Sequence, residues 1–299
     1  MATIDIQRQQ RDELTCWFIR NGAAELLVAE QGAQVLRYRR TERPIVWLSE
    51  QAAFARGQSL RGGVPLCWPW FGDLARNPAP VRELWQGEGA APFHGLVRGI
   101  DWQLQDIVEA DASVSLVFSL QAPAVPLADC PAAPHVEFAL ALGDEALQLT
   151  LDNHNAGAHP LAFSQALHSY YAVSDVRQVR VEGVQGCRYH DALQDWRPCR
   201  QDAAPVIEAE TDRVYLDVPA RLAIEDPGWQ RRIVLDSQGS TSAVLWNPWI
   251  DKARRLSQFA GDAWQRMLCV ETGNLLEDAP RLAPGQSHRL SLRIHEQAL

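Results

Sequence analysis

Lysine is nearly missing from this chain. Of 28 basic side chains only Lys252 is a lysine, and the rest are arginines. No P-loop can be built without a Gly-Lys-Ser/Thr step, and Schiff-base chemistry would have to run through Lys252 alone. GxSxG, HExxH and GxGxxG are absent too, which sets aside the common serine-hydrolase, zinc-protease and dinucleotide classes. No apolar run approaches the roughly 18 residues needed to cross a bilayer. The N-terminal stretch MATIDIQRQQRDEL lacks the apolar centre of a signal peptide, so a cytoplasmic protein is expected. The cysteines (Cys16, Cys67, Cys130, Cys187, Cys199, Cys269) form no CxxC pair, and the histidines no HxH or HxxxH. They read as reduced thiols filling the core, with no metal site and no cofactor. Positive charge is also short: 37 acidic against 28 basic residues leave a formal charge of -9. That argues against nucleic acid or an anionic membrane as partner.

What is present is an ordinary globular balance, 46% apolar and 22% charged, in 299 residues. Period-two alternation recurs, as in QVLRYR (34–39), SVSLVFSL (113–120) and HRLSLRIH (288–295). Residues 135–152 read as a hairpin with Val136, Phe138 and Leu140 on one arm and Leu147, Leu149 and Leu151 on the other. Residues 221–236 repeat the design around Asp226-Pro227-Gly228, with Leu222 and Ile224 facing Ile233 and Leu235. Many short strands joined by Gly, Pro, Asn and Asp turns predict an all-β, large antiparallel sandwich or barrel. The one helix expected is short, about Glu50 to Ala55. Segments 73–93 and 121–134 are rich in proline and alanine and read as long surface loops. No linker or repeat divides the chain, so residues 1–299 are expected to form a single domain.

Four segments set polar groups among apolar ones. RGGVPLCWPWFG (61–72) and HGLVRG (94–99) carry Arg61, His94 and Arg98 between glycines that permit tight backbone approach. The arginine forks suit hydroxyl, carboxylate or phosphate, or else surface ion pairs. In ALHSYY (166–171), His168 is expected half-buried in a strand, either a core histidine or a proton carrier near neutral pH. Asp212 heads a VYLDV strand and could cap a turn. Glu271 ends the apolar run MLCVE, where an unpaired carboxylate is costly and so needs a partner or a purpose. Tryptophans cluster as Trp68, Trp70 and Trp85 and as Trp246 and Trp249. Their flat faces suit sugar rings, although core packing is their commoner use. The inventory fits proton transfer on a small polyhydroxylated substrate.

Those motifs, followed by ALHSYYAVSDVRQVRVEGVQGCRYHDAL, ETDRVYLDV, WNPW and MLCVETGN, run in one order from residue 61 to 274. In that order the chain resembles the aldose 1-epimerase, or galactose mutarotase-like, superfamily, and more closely its hexose-6-phosphate mutarotase branch. The resemblance implies a β-supersandwich that interconverts α and β anomers without a cofactor, with a sugar phosphate as its small-molecule partner. By matching motif, Glu271 would be the general base on the C1 hydroxyl and His168 the general acid on the ring oxygen. Arg61, His94 and Asp212 would hold ring hydroxyls, and Arg98 would meet the phosphate. With those roles a bell-shaped rate profile follows, its acid limb from Glu271 and its alkaline limb from His168.

One position departs from the pattern. Phe93 stands where the branch has Gln before the HG motif, which puts the choice among hexose phosphates in question; Ser169 in place of Thr is milder. A mutarotase of unphosphorylated aldoses would use the same acid and base. A non-catalytic sugar-phosphate binding protein would need neither. A glycosidase pairing Asp212 with Glu271 would leave His168 idle. Nothing in the sequence speaks to oligomeric state.

Overall fold

Alternating apolar side chains put most of the chain into antiparallel strands. The structure, a computed structural model, describes residues 4–110, 112–120 and 134–299. One eight-stranded sheet runs Arg180–Glu182, Arg221–Asp226, Arg231–Gln238, Ser287–Ala298, Ala146–Asn155, Pro134–Gly143, Ser113–Leu120, Gln103–Ala110. The other runs Arg197–Arg200, Arg188–Asp191, Thr211–Leu216, Ser242–Asn247, Met267–Asn274, Gln165–Leu167, Leu66–Cys67, and Tyr170–Ala172 also pairs with Met267–Asn274. A four-stranded sheet, Ile4–Arg11, Leu14–Asn21, Ala24–Ala29 and Val35–Arg39, completes the N-terminal part.

The first sheet is half-covered over much of its length, though residues 222–224 and 233–235 are buried at every position. Along Ala146–Asn155 every second residue is buried, as period two requires of a half-covered strand. The second sheet is covered on both faces in its middle, where Ser242–Asn247 and Met267–Asn274 are buried at every position. One apolar core takes Leu26, Phe138, Leu268 and Leu292 from these three sheets, and a two-stranded sheet, Leu161–Ala162 with Arg281–Leu282, lies apart from them in pairing. This is the large, all-β antiparallel sandwich expected from the sequence.

A file of buried amides ties the large sheets together. Trp68 Nε1 donates to Asn153 Oδ1 (2.8 Å), Asn153 Nδ2 to Gln165 Oε1 (2.8 Å), and Gln165 Nε2 to Asn274 Oδ1 (2.9 Å). Each buried amide is satisfied by the next, so the interior bears polar groups at little cost.

Both expected hairpins form. Phe138 faces Leu151 and Leu140 faces Leu149; Leu222 faces Leu235 and Ile224 faces Ile233. The helix expected over Glu50–Ala55 does not form. Ala52 N–H reaches back to Ser49 O, but Ala53 N–H donates to Gln258 Oε1 and Phe54 O accepts from Glu13, so distant groups take the bonds a helix needs. Segment 73–93 is more structured than a loop. Asp73 caps the turn Leu74–Arg76, the turn Ala79–Arg82 follows, and Val81 and Leu84 are buried. Of the 121–134 loop only Pro134, which opens a strand, lies among the described residues. Cys16, Cys67, Cys187 and Cys269 are buried free thiols, Cys199 is half-buried, and Cys130 lies outside the described residues. Among the described residues no helix is long and apolar enough to cross a membrane.

Candidate active site

Strand register builds the floor of the site. Asp212 pairs with Trp246, Trp246 with Cys269, and Cys269 with Tyr170. Two residues along, Val214 pairs with Val244 and Val244 with Glu271. Directly paired residues share a face, and so do positions two apart on one strand. Both rows therefore point the same way, and Glu271 (1% exposed) stands among them on Met267–Asn274.

His168 lies in the gap between Gln165–Leu167 and Tyr170–Ala172, and not within a strand as expected. Ser169 N–H turns back to Leu167 O, which interrupts the ladder, while His168 N–H is held by Pro65 O (3.0 Å). The side chain is buried, not half-buried, and its ring stacks on Tyr170 at 4.8 Å and 10°. Its Nδ1 lies 3.1 Å from Glu271 Oε1. The approach is close but poorly directed, since neither His168 Nδ1 nor Glu271 Oε2 has a hydrogen-bond partner.

The HG motif enters through backbone contact. Gly95 pairs with Trp68, and a Cβ at Gly95 would lie 2.0 Å from the Trp68 carbonyl oxygen, so only glycine fits. His94 is thereby brought to a ring separation of 5.1 Å from His168. Gly72 N–H donates to His94 Nδ1 (3.1 Å), which leaves Nε2 to carry the proton as a donor. Arg98 Nη2 donates to Phe93 O (2.6 Å), and Arg61 reaches Ser257 O (3.4 Å) and the Tyr170 hydroxyl (3.5 Å). None of these partners is charged, so the contacts leave both guanidinium charges unneutralised. Asp212 does have a cation: Lys252 Nζ lies 3.8 Å from it and 3.0 Å from Glu210.

All six expected residues, Arg61, His94, Arg98, His168, Asp212 and Glu271, line one cavity of about 610 Å³. That volume suits a small ligand. Burial pushes the Glu271 carboxyl well above the ordinary carboxylate range, Asp212 adds to this, and Arg98 opposes it. Burial, then Arg98 and Arg61, push His168 down to about 3. Burial, then His168, Arg98 and Arg61, hold His94 neutral in the same way. Burial raises Asp212 to about 6 against the pull of Lys252. The order of titration expected for Glu271 and His168 is thus reversed: the imidazole loses its proton first as the pH rises, and the carboxyl keeps one longest.

Sequence reading missed several lining groups. Arg76, in a segment read as loop, lies 5.7 Å from the Trp196 ring, and both line the cavity with Tyr170 and Lys252. Lys252 was visible as the lone lysine, but its pairing depends on a turn far from Asp212 in sequence. Of the tryptophans, Trp246 lines the cavity, whereas Trp68 and Trp70 are core. Trp85 packs edge-on against Trp70, and Trp249 lies tilted against Trp264. Phe93 is 59% exposed at the rim, its ring edge-on to His94.

Residues 15–295 match the sequence profile described as aldose 1-epimerase. A protein of Cenchrus ciliaris, provisionally named a glucose-6-phosphate 1-epimerase, is 32% identical over 90% of this chain and 80% of its own. A Salmonella typhimurium protein of the same provisional name is 31% identical over 89% of this chain and 85% of its own. The crystal structure of a Salmonella typhimurium protein provisionally described as a mutarotase superposes with a TM-score of 0.87 at 27% identity, covering 100% of this chain and 97% of that one.

Proposed function

The chain belongs to the aldose 1-epimerase family, and from that premise we propose that it interconverts the α and β anomers of a hexose 6-phosphate, glucose 6-phosphate first, by acid–base ring opening and closure. The observation that carries this reading is the buried Glu271–His168 contact, 3.1 Å long, on a cavity that also holds two guanidinium groups without charged partners.

The chemistry is a balanced proton exchange. Glu271 as carboxylate takes the C1 hydroxyl proton, the C1–O5 bond breaks, and its electron pair goes to O5. There it is protonated by the His168 imidazolium, leaving an aldehyde, a protonated Glu271 and a neutral His168. Rotation about C1–C2 and the reverse steps on the other carbonyl face give the other anomer. The pair holds one proton throughout and needs no exchange with solvent. In the empty site burial favours that proton on the carboxyl. A bound sugar whose hydroxyls donate to Glu271 restores the charged arrangement. His94 Nε2–H, Arg61 and Asp212 would hold ring hydroxyls, and Arg98 would take the phosphate through its fork.

Anomer exchange is measured directly by magnetization-transfer NMR on equilibrated glucose 6-phosphate. The wild-type protein should add exchange above the spontaneous rate. Glu271→Gln and His168→Asn should each lose about a hundred- to ten-thousand-fold while keeping the wild-type circular dichroism spectrum. A folded variant exchanging at the wild-type rate would remove that residue from the mechanism.

A further inference from the structure

Beneath the acid–base pair lies a thiol that the proposed reaction does not use. Cys269 is two residues before Glu271 on the same strand and on the same face, fully buried, and directly paired with Tyr170. One ligand-type atom each from His168, Cys269 and Glu271 lies within 4.8 Å of the others. We infer that these three side chains form a binding site for a thiophilic divalent cation such as Zn²⁺, and that the cation switches the protein off by occupying its acid and its base.

Three observations converge. The donor set of imidazole nitrogen, thiolate sulfur and carboxylate oxygen is one that zinc takes readily. Metal–ligand lengths of about 2.0–2.3 Å put neighbouring tetrahedral ligands about 3.3–3.8 Å apart, so the triad must draw in by about 1 Å at its widest edge. That closure would come from rotation of the three side chains. The second observation is independent of composition: His168 Nδ1 and Glu271 Oε2 are buried without any hydrogen-bond partner. Buried polar atoms are nearly always satisfied, and a bound cation would satisfy these two together. The third is access. His168 and Glu271 line the cavity, so a fourth coordination position would open onto it.

Binding would release the thiol proton and the proton shared by the pair, leaving thiolate, carboxylate and neutral imidazole on the metal. The metal would then hold both groups that must move a proton, so it acts as an inhibitor and not as a cofactor. The inhibition rests on the function proposed above; the binding does not.

The test uses protein stripped with EDTA and desalted, with Co²⁺ as the optical probe and Zn²⁺ as the inhibitor. Wild-type protein should show a near-ultraviolet thiolate-to-cobalt charge-transfer band. Cys269→Ser should lose it, and Cys67→Ser, which alters the thiol beside His94, should keep it. Micromolar Zn²⁺ should suppress glucose 6-phosphate exchange and EDTA should restore it. Cys269→Ser should exchange at close to the wild-type rate without metal, yet need about tenfold or more Zn²⁺ for the same inhibition. No charge-transfer band in wild type overturns the site, as does a band that disappears in Cys67→Ser but survives in Cys269→Ser. Equal zinc sensitivity of wild type and Cys269→Ser overturns it too. If the band behaves as expected but no sugar-phosphate exchange is found, the site stands and the proposed activity fails. If exchange is found without the band, the activity stands and the site fails.

Discussion

Asp212 is a cavity residue that burial raises to about 6, so its charge changes within reach of neutral pH. The Glu271–His168 pair keeps one proton over a wide range, because burial lowers the imidazole to about 3 and raises the carboxyl. Asp212, at about 6, is charged only above that value. In its proposed role as an acceptor of ring hydroxyls it would work best ionised. We therefore expect kcat/KM to rise as the pH passes about 6 and to fall again, at higher pH, where the pair loses its last proton. Asp212→Asn should lower kcat/KM and abolish the limb near pH 6. A limb that survives there would belong to another group. The same residue carries a stability cost of known sign. Its folded pKa lies above the unfolded value, so between about pH 4 and 6 the unfolded chain releases a proton that the folded one keeps, and stability falls as pH rises. Asp212→Asn should thus stabilise the fold by about 1–2 kcal/mol at pH 7.5, after allowance for partial exposure, and by nothing near pH 3.5. Urea melts at the two pH values measure the difference.

At the scale of elements, the readable part of the sequence was the local part. Period two is written within single strands, so both hairpins and their facing residues were legible from residue order alone. Glu271 was legible because a carboxylate in MLCVE contradicts its own strand. The rows that join Asp212 to Trp246 to Cys269 were not, because they depend on pairing between strands far apart in sequence. The same is true of Arg76 beside Trp196, and of Glu50–Ala55, where partners at Glu13 and Gln258 override a helix pattern. Asn274 shows what non-local pairing is worth. Its Oδ1 accepts from Gln165 (2.9 Å) and lies 3.0 Å from His288 Nε2, while its Nδ2 donates to Gly239 O (2.8 Å). Asn274→Leu keeps the size and leaves the buried Gln165 amide unpaired, while half-buried His288 and exposed Gly239 can turn to water. An unpaired buried group costs about 1–3 kcal/mol, so the variant should lose about that much in urea unfolding. A loss under about 1 kcal/mol, the low end of that range, would show that the amide file is dispensable to the sandwich.

The molecule as a whole carries a formal charge of -9, and its proposed substrate is a near-dianion. The global field repels the phosphate, whereas Arg61 and Arg98, both lining the cavity, attract it at short range. Salt separates the two, because screening acts over about 30 Å at 0.01 M and about 8 Å at 0.15 M. Two guanidinium groups within contact distance, in a cavity of lowered dielectric, outweigh a charge spread over the whole surface. Adding salt screens the long-range repulsion first and should therefore raise kcat/KM for glucose 6-phosphate by up to a few-fold across that range, leaving unphosphorylated glucose unchanged. Arg98→Met takes away the short-range attraction and keeps the long-range repulsion. It should lower kcat/KM for the phosphosugar by about a hundredfold, as truncating one side of a close charge pair does. It should keep the upward salt slope, because the long-range repulsion remains to be screened. Free glucose should stay within a few-fold of its wild-type rate in the same variant. Equal losses on both sugars would make Arg98 a support of the site and not its reader of phosphate. A wild-type rate that falls steeply with salt would mean that the cations the substrate meets are screened at the surface and not held in the cavity.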